Sequence, residues 1–118
     1  MRDIDGAGIG TRYSPRVDDS DVKECSIVTT RTGDILSSFG DVRGILNVSG
    51  RGLLARNIFL FVVHDRMALE RAVAALPQNV TLERDLLIQP KDRKAVLMLA
   101  TITTSADRLT LTLQLSRH

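Results

Sequence analysis

Cysteine, histidine and aromatic residues are the scarce ones in this sequence. The single cysteine, Cys25, excludes a disulfide within the chain and any zinc site built on paired thiolates. Its apolar and β-branched neighbours make it a small buried residue rather than a reactive thiol. Aromatics are 3% of the chain and Trp is absent, so the core is expected to be built from Leu, Val, Ile and Ala. Neither of the two histidines has both a Ser and an acid close to it in sequence. No phosphate loop or His-Glu metal pair is present, so no catalytic or metal-binding residue is assigned and a non-enzymatic protein is expected. Basic and acidic residues number 16 and 14, too even for a nucleic-acid footprint. No apolar run approaches the ~20 residues of a membrane span, and nothing resembles a signal peptide. A cytoplasmic setting is expected, with neither nucleic acid nor membrane as partner.

What is present fits one domain. At 118 residues the chain has room for one core. Residues 1–24 combine Gly6-Ala7-Gly8-Ile9-Gly10 with Ser14-Pro15 and Asp18-Asp19-Ser20-Asp21, a composition that cannot bury a core and reads as a flexible leader. The domain proper is expected over residues 25–118.

From Cys25 the pattern changes. Cys25 to Arg31 is β-branched and strand-like, Thr32-Gly33-Asp34 makes a turn, and Ile35 to Phe39 returns as the second strand of a hairpin. Val42, Ile45, Leu46 and Ser49 share one helical face, and Gly50 and Gly52 are expected to stop that helix. Leu53 to Val63 is almost continuously apolar, and periodicity does not decide between an irregular helix and a strand. Asp65 is a good N-cap for a helix whose stripe is Leu69, Ala72, Val73 and Leu76, ended by Pro77. Three strands follow, Val80–Gln89, Lys94–Thr103 and Arg108–Ser116. The last alternates strictly, Leu109, Leu111, Leu113 and Leu115 against Thr110, Thr112, Gln114 and Ser116. The middle one does not: Val96, Met98, Ala100 and Ile102 share one face while Leu97 and Leu99 occupy the other, so both of its faces are expected to be covered. Two strand groups around a helical segment predict an α+β fold, one antiparallel sheet with helices on one face.

This layout resembles the PAS family of sensor domains. Gly33-Asp34-Ile35-Leu36 through Leu46 is similar to the family's early hairpin and first helix. Leu53 to Val62 is similar to its Ala-Arg-containing segment leading into the long helix, and His64-Asp65-Arg66 to the start of that helix. The resemblance spans roughly residues 25–117. It implies a five-stranded antiparallel sheet with short helices and one longer helix packed on one face. It also implies a sensory or signalling role, through a small ligand or protein association, with a signalling partner or output domain. Pocket candidates are Leu36, Leu46, Phe59, Phe61, Leu69, Leu97 and Leu113, for each of which core packing is the plainer role. The doubly apolar middle strand implies a homodimer, with Val96, Met98, Ala100 and Ile102 as its sheet-face candidates.

Two cofactors known in the family are not expected. Ala55-Arg56-Asn57-Ile58-Phe59 echoes the flavin-binding run, but Ile58 stands in place of the reactive Cys. His64 is the one histidine placed for haem, and an exposed helix-start His explains it; His118 is terminal. The usual Asn ending the second strand is Phe39 here, and the Asp-x-Thr after the last strand is missing. An alternative rests on Arg12 and Arg16, spaced as Arg-x-x-x-Arg, and on Asn47, Ser49 and Gly52, spaced as Asn-x-Ser-x-x-Gly. These resemble the paired motif of cyclic di-GMP-binding PilZ domains, whose arginines clamp phosphate and guanine.

Overall fold

The last strand's alternation sets the inward face of the whole sheet. The computed structural model describes residues 22–116, with strands β1 (Val22–Thr30), β2 (Ile35–Gly40), β3 (Thr81–Ile88), β4 (Val96–Ser105) and β5 (Arg108–Ser116). They form one five-stranded antiparallel sheet in the order β2-β1-β5-β4-β3. Leu109, Leu111 and Leu113 of β5 are buried, and register carries that face sideways. Cys25 and Ile27 lie opposite Leu113 and Leu111 on one side, Ala100 and Ile102 on the other. Paired residues share a sheet face.

Between β2 and β3 run α1 (Val42–Leu46), α2 (Gly50–Leu53), a 3₁₀ turn (Ile58–Phe61) and α3 (Arg66–Ala74). Their apolar residues Val42, Ile45, Leu46, Leu53, Ile58, Phe59, Leu69 and Val73 join the sheet's inward face in one core. The contested stretch Leu53–Val63 is thus neither a long helix nor a strand.

Strand bounds differ from expectation at the ends. β1 begins at Val22, inside the expected leader, because Val22, Lys23 and Glu24 pair with Ser116, Leu115 and Gln114. β4 runs on to Ser105, leaving a tight turn at Ala106-Asp107. The β1–β2 turn uses Gly33 at φ +98°, where an added Cβ would lie 2.5 Å from the Phe59 ring.

Helix ends also depart from the sequence reading. Asn47, left-handed at φ 58°, stops α1, since Asn tolerates that conformation nearly as well as Gly. Gly50 begins α2 instead of ending a helix, and Ser49 caps it by accepting from Gly52 N at 3.0 Å. Asp65 sits at the N-cap position of α3 but makes no side-chain cap bond; its carboxylate lies 3.2 Å from His64 Nε2. Just beyond the other end of α3, the Arg31 guanidinium donates to Leu76 O at 2.6 Å, tying the residues that follow the helix to the end of β1.

Candidate ligand and association surfaces

Three places on this frame are candidates: the interior between sheet and helices, the outer face of the sheet, and clefts where elements meet. The interior is packed with side chains. Leu46, Phe59, Phe61, Leu69 and Leu113 are all buried there, 7% exposed or less. Leu36 and Leu97 do not join them. The β1–β2 register skips Leu36 between the pairs Thr29–Ile35 and Val28–Ser37, so Ile35 takes the inward place and Leu36 is 41% exposed.

Leu97 is 61% exposed, while Met98, Ala100 and Ile102 are buried against the helices and Val96 is at 36%. The two faces of this strand are therefore the reverse of the sequence reading. The apolar alternation is present, but its sense is fixed by pairing with β5, and a one-residue shift turns every side chain over.

The outer face is built from the residues that alternate with the buried ones along each strand. Across its middle run Phe39, Ser26, Thr112, Thr101 and Glu83, and beside them Ser37, Val28, Thr110, Thr103 and Thr81. Hydroxyls pair here, Ser26 with Thr112 at 3.0 Å and Thr81 with Thr103 at 3.2 Å. Leu87, Leu97 and Leu99 form an apolar corner at the β3–β4 side, and Phe39, 61% exposed, stands at the β2 side. Charged residues of this face are Glu24, Arg108 and, on the edge strand β3, Glu83 at the end of the middle row and Asp85 opposite Leu99.

Two clefts are relevant. One, of about 360 Å³, lies between the start of α3 and strand β3, lined by Ala68, Leu69, Leu86, Leu87 and Leu97 together with His64, Asp65, Arg84 and Asp85. The other, of about 250 Å³, lies between the 3₁₀ turn and the β3–β4 turn, lined by Leu60, Phe61 and Pro90 with Arg56, Gln89, Lys91 and Asp92.

The chemistry-bearing residues are not gathered into a site. Cys25 is 1% exposed, and burial, helped by the nearby carboxylates of Asp41 and Glu24, pushes its thiol up to about 12. His64 is exposed beside Asp65, and Ile58 is buried in the core. Among the described residues no group of three His, Cys, Asp or Glu is placed to hold a metal ion, and no helix is long and apolar enough to cross a membrane.

The residues of the alternative nucleotide motif are used otherwise. Asn47 Nδ2 donates to Lys91 O at 2.9 Å and Ser49 caps α2, and the chain continues into α3 rather than into strands. Arg12, Arg16 and His118 lie outside the described residues.

No family model and no curated protein sequence matches the chain. Solved structures do. The PAS domain of an HTR-like protein from Haloarcula marismortui superposes with a TM-score of 0.68 at 13% identity, covering 79% of this chain and 85% of that one. The fold is that of PAS domains. A domain of a sensory box sensor histidine kinase/response regulator from Geobacter sulfurreducens gives 0.65 at 8% identity, over 76% of this chain and 81% of that one. The RpfR quorum-sensing receptor PAS domain from Cronobacter turicensis, in complex with C12:0, gives 0.66 at 16% identity, over 77% and 91%. The PAS fold was legible from the strand and helix layout; which sheet face is free was not.

Proposed function

We propose that this PAS-fold domain is a non-catalytic signalling module that works by self-association through the outer face of its sheet. The observation that carries the reading is the exposure of Leu97, Phe39 and Leu87 on one face, around a centre of short hydroxyl side chains. Large exposed apolar side chains clustered on one face mark an interaction surface. Five strands about 4.8 Å apart and roughly 25–30 Å long present about 700 Å², close to the ~800 Å² that each partner contributes to a standard interface. A second copy suits it because short, paired hydroxyls and leucines can face themselves across a two-fold axis without opposing like charges. Size-exclusion chromatography with light scattering on the full chain should show a dimer that Leu97→Arg converts to monomer. A strict monomer at high protein concentration overturns the proposal.

A second reading is favoured by the cleft between α3 and β3. Its volume of about 360 Å³ and its leucine lining fall within the range of small-molecule sites, so a small apolar ligand is its expected occupant. Native mass spectrometry of freshly purified protein tests this, and Leu69→Trp, which fills the cleft, should abolish any mass-shifted species. An unshifted mass for the purified wild type counts against it.

A further inference from the structure

Charge is unevenly spread over the described chain. The region from α1 through the 3₁₀ turn, with the β3–β4 turn, carries Arg43, Arg51, Arg56, Lys91, Arg93 and Lys94, all exposed, against one acid of its own, Asp92. Yet the entire sequence has a formal net charge of only +2. The fold brings these two segments together by backbone bonds: Lys91 N donates to Leu46 O at 3.0 Å and Gln89 N to Phe61 O at 2.8 Å. Asn47 adds its side-chain bond to Lys91 O. Among the described residues the ion pairs are His64–Asp65 and Arg108–Asp107, so none of the six cations is neutralised by a contact there. Asp41, at the edge of the patch, is committed to capping α1 through Gly44 N.

The cleft of about 250 Å³ lies within this patch. Phe61 and Pro90 in its lining are buried, and Leu60 is 62% exposed. A depression with Leu60, Phe61 and Pro90 in its lining, flanked by Arg56 and Lys91, which form no ion pair among the described residues, has a specific complement. We propose that this cleft docks an acidic peptide segment carrying one apolar anchor side chain. The anchor packs against Leu60, Phe61 and Pro90, and the flanking carboxylates meet Arg56 and Lys91, with Arg93 and Lys94 extending the attraction. A buried anchor supplies affinity, while the charges supply orientation and association rate.

Other polyanions fit less well. The patch exposes no aromatic ring on which bases stack, Phe61 being 7% exposed. A membrane surface is met by a row of protruding apolar side chains along a helix, whereas the patch presents Leu60 beside the buried Phe61 and Pro90, a depression sized for one anchor. The surface is separate from the outer sheet face, so it stands or falls independently of self-association.

The test uses the full chain and fluorescence anisotropy with a labelled synthetic peptide of Glu and Asp bearing a single central Phe. Binding is expected, weakening as salt is raised and falling about tenfold or more in an Arg56→Glu/Lys91→Glu variant and when the central Phe is replaced by Ala. Asp92→Asn should tighten it, which keeps the proposal testable should the double variant fold poorly. Leu97→Arg, on the other face, should leave it unchanged. Absence of binding overturns the proposal, as does insensitivity to both the charge reversal and Asp92→Asn. So does tighter binding to a single-stranded oligonucleotide or to phosphatidylserine vesicles than to the peptide.

Discussion

Replacing Thr104 with Val removes a hydroxyl from the core at almost constant volume. Thr104 is fully buried, 0% exposed, on the inward face of β4. Its Oγ1 donates to Pro77 O at 2.5 Å and accepts from Val80 N at 3.1 Å. Its backbone N donates to Val80 O, and its carbonyl accepts from Asn79 N, both at 2.9 Å. One side chain thus ties the connection between α3 and β3 to strand β4. In Thr104→Val the Pro77 carbonyl and the Val80 amide both lose a partner, at up to about 1–3 kcal/mol for each polar group left unsatisfied, with Pro77, an exposed residue, recovering part of this from water. The methyl gained returns about 1 kcal/mol of apolar burial, and Val80, half-buried, regains some contact with water. The expected net loss is about 2–3 kcal/mol, equivalent to a fall in Tm of roughly 10–15 °C for a domain of this size. Urea unfolding followed by circular dichroism should show a lower midpoint with an unchanged slope. Thr104→Ser keeps both hydrogen bonds and loses only a methyl group, about 1 kcal/mol, so stability should fall in the order wild type, Ser, Val. A Val variant as stable as wild type would refute the assignment of a structural role to the hydroxyl.

Arg31→Met should lower stability by about 1 kcal/mol and speed amide hydrogen exchange of Ala75 and Leu76, the residues just after α3 that Arg31 holds through Leu76 O; unchanged exchange there would contradict this anchoring role. Cys25 should resist alkylation in the native protein at pH 8 and react on unfolding, since its thiol is buried and protonated. The same thiol makes stability pH-dependent. Its folded pKa is raised from 9.0 to about 12, so its contribution is complete below pH 9 and is lost as pH rises toward 12, because the unfolded chain releases that proton first. Cys25→Ala should flatten this part of the stability–pH curve relative to wild type, and parallel curves would count against the shifted pKa.

The elements that could be read from sequence are those whose pattern is local. β5 alternates over its whole length, and Leu69 and Val73 of α3 lie on the face the stripe named. What was missed depends on pairing. The sense of β4 hangs on Ala100 facing Leu113 and Ile102 facing Leu111; within the strand, Thr101, Thr103 and Ser105 on the face of Leu97 and Leu99 are the marks of the outer side. Leu36 was misplaced because a bulge opposite Val28 and Thr29 leaves no mark in a run of two apolar residues. Thr104 offered a usable signal: it follows Met98, Ala100 and Ile102 at spacing two, a polar residue in an inward row that must find a partner inside. The basic cleft was hidden by composition, since the near-even charge total conceals how the fold gathers Arg56 and Lys91.

Self-association through the outer sheet face is tested most directly by isotope-filtered nuclear Overhauser spectra of a dimer mixed from labelled and unlabelled chains. Cross-protomer signals are expected from the methyl groups of Leu87, Leu97 and Leu99 to outer-face residues such as Phe39, Val28 and Thr112. Cross-protomer signals confined to other surfaces, or none in a sample shown to be dimeric, would contradict the account.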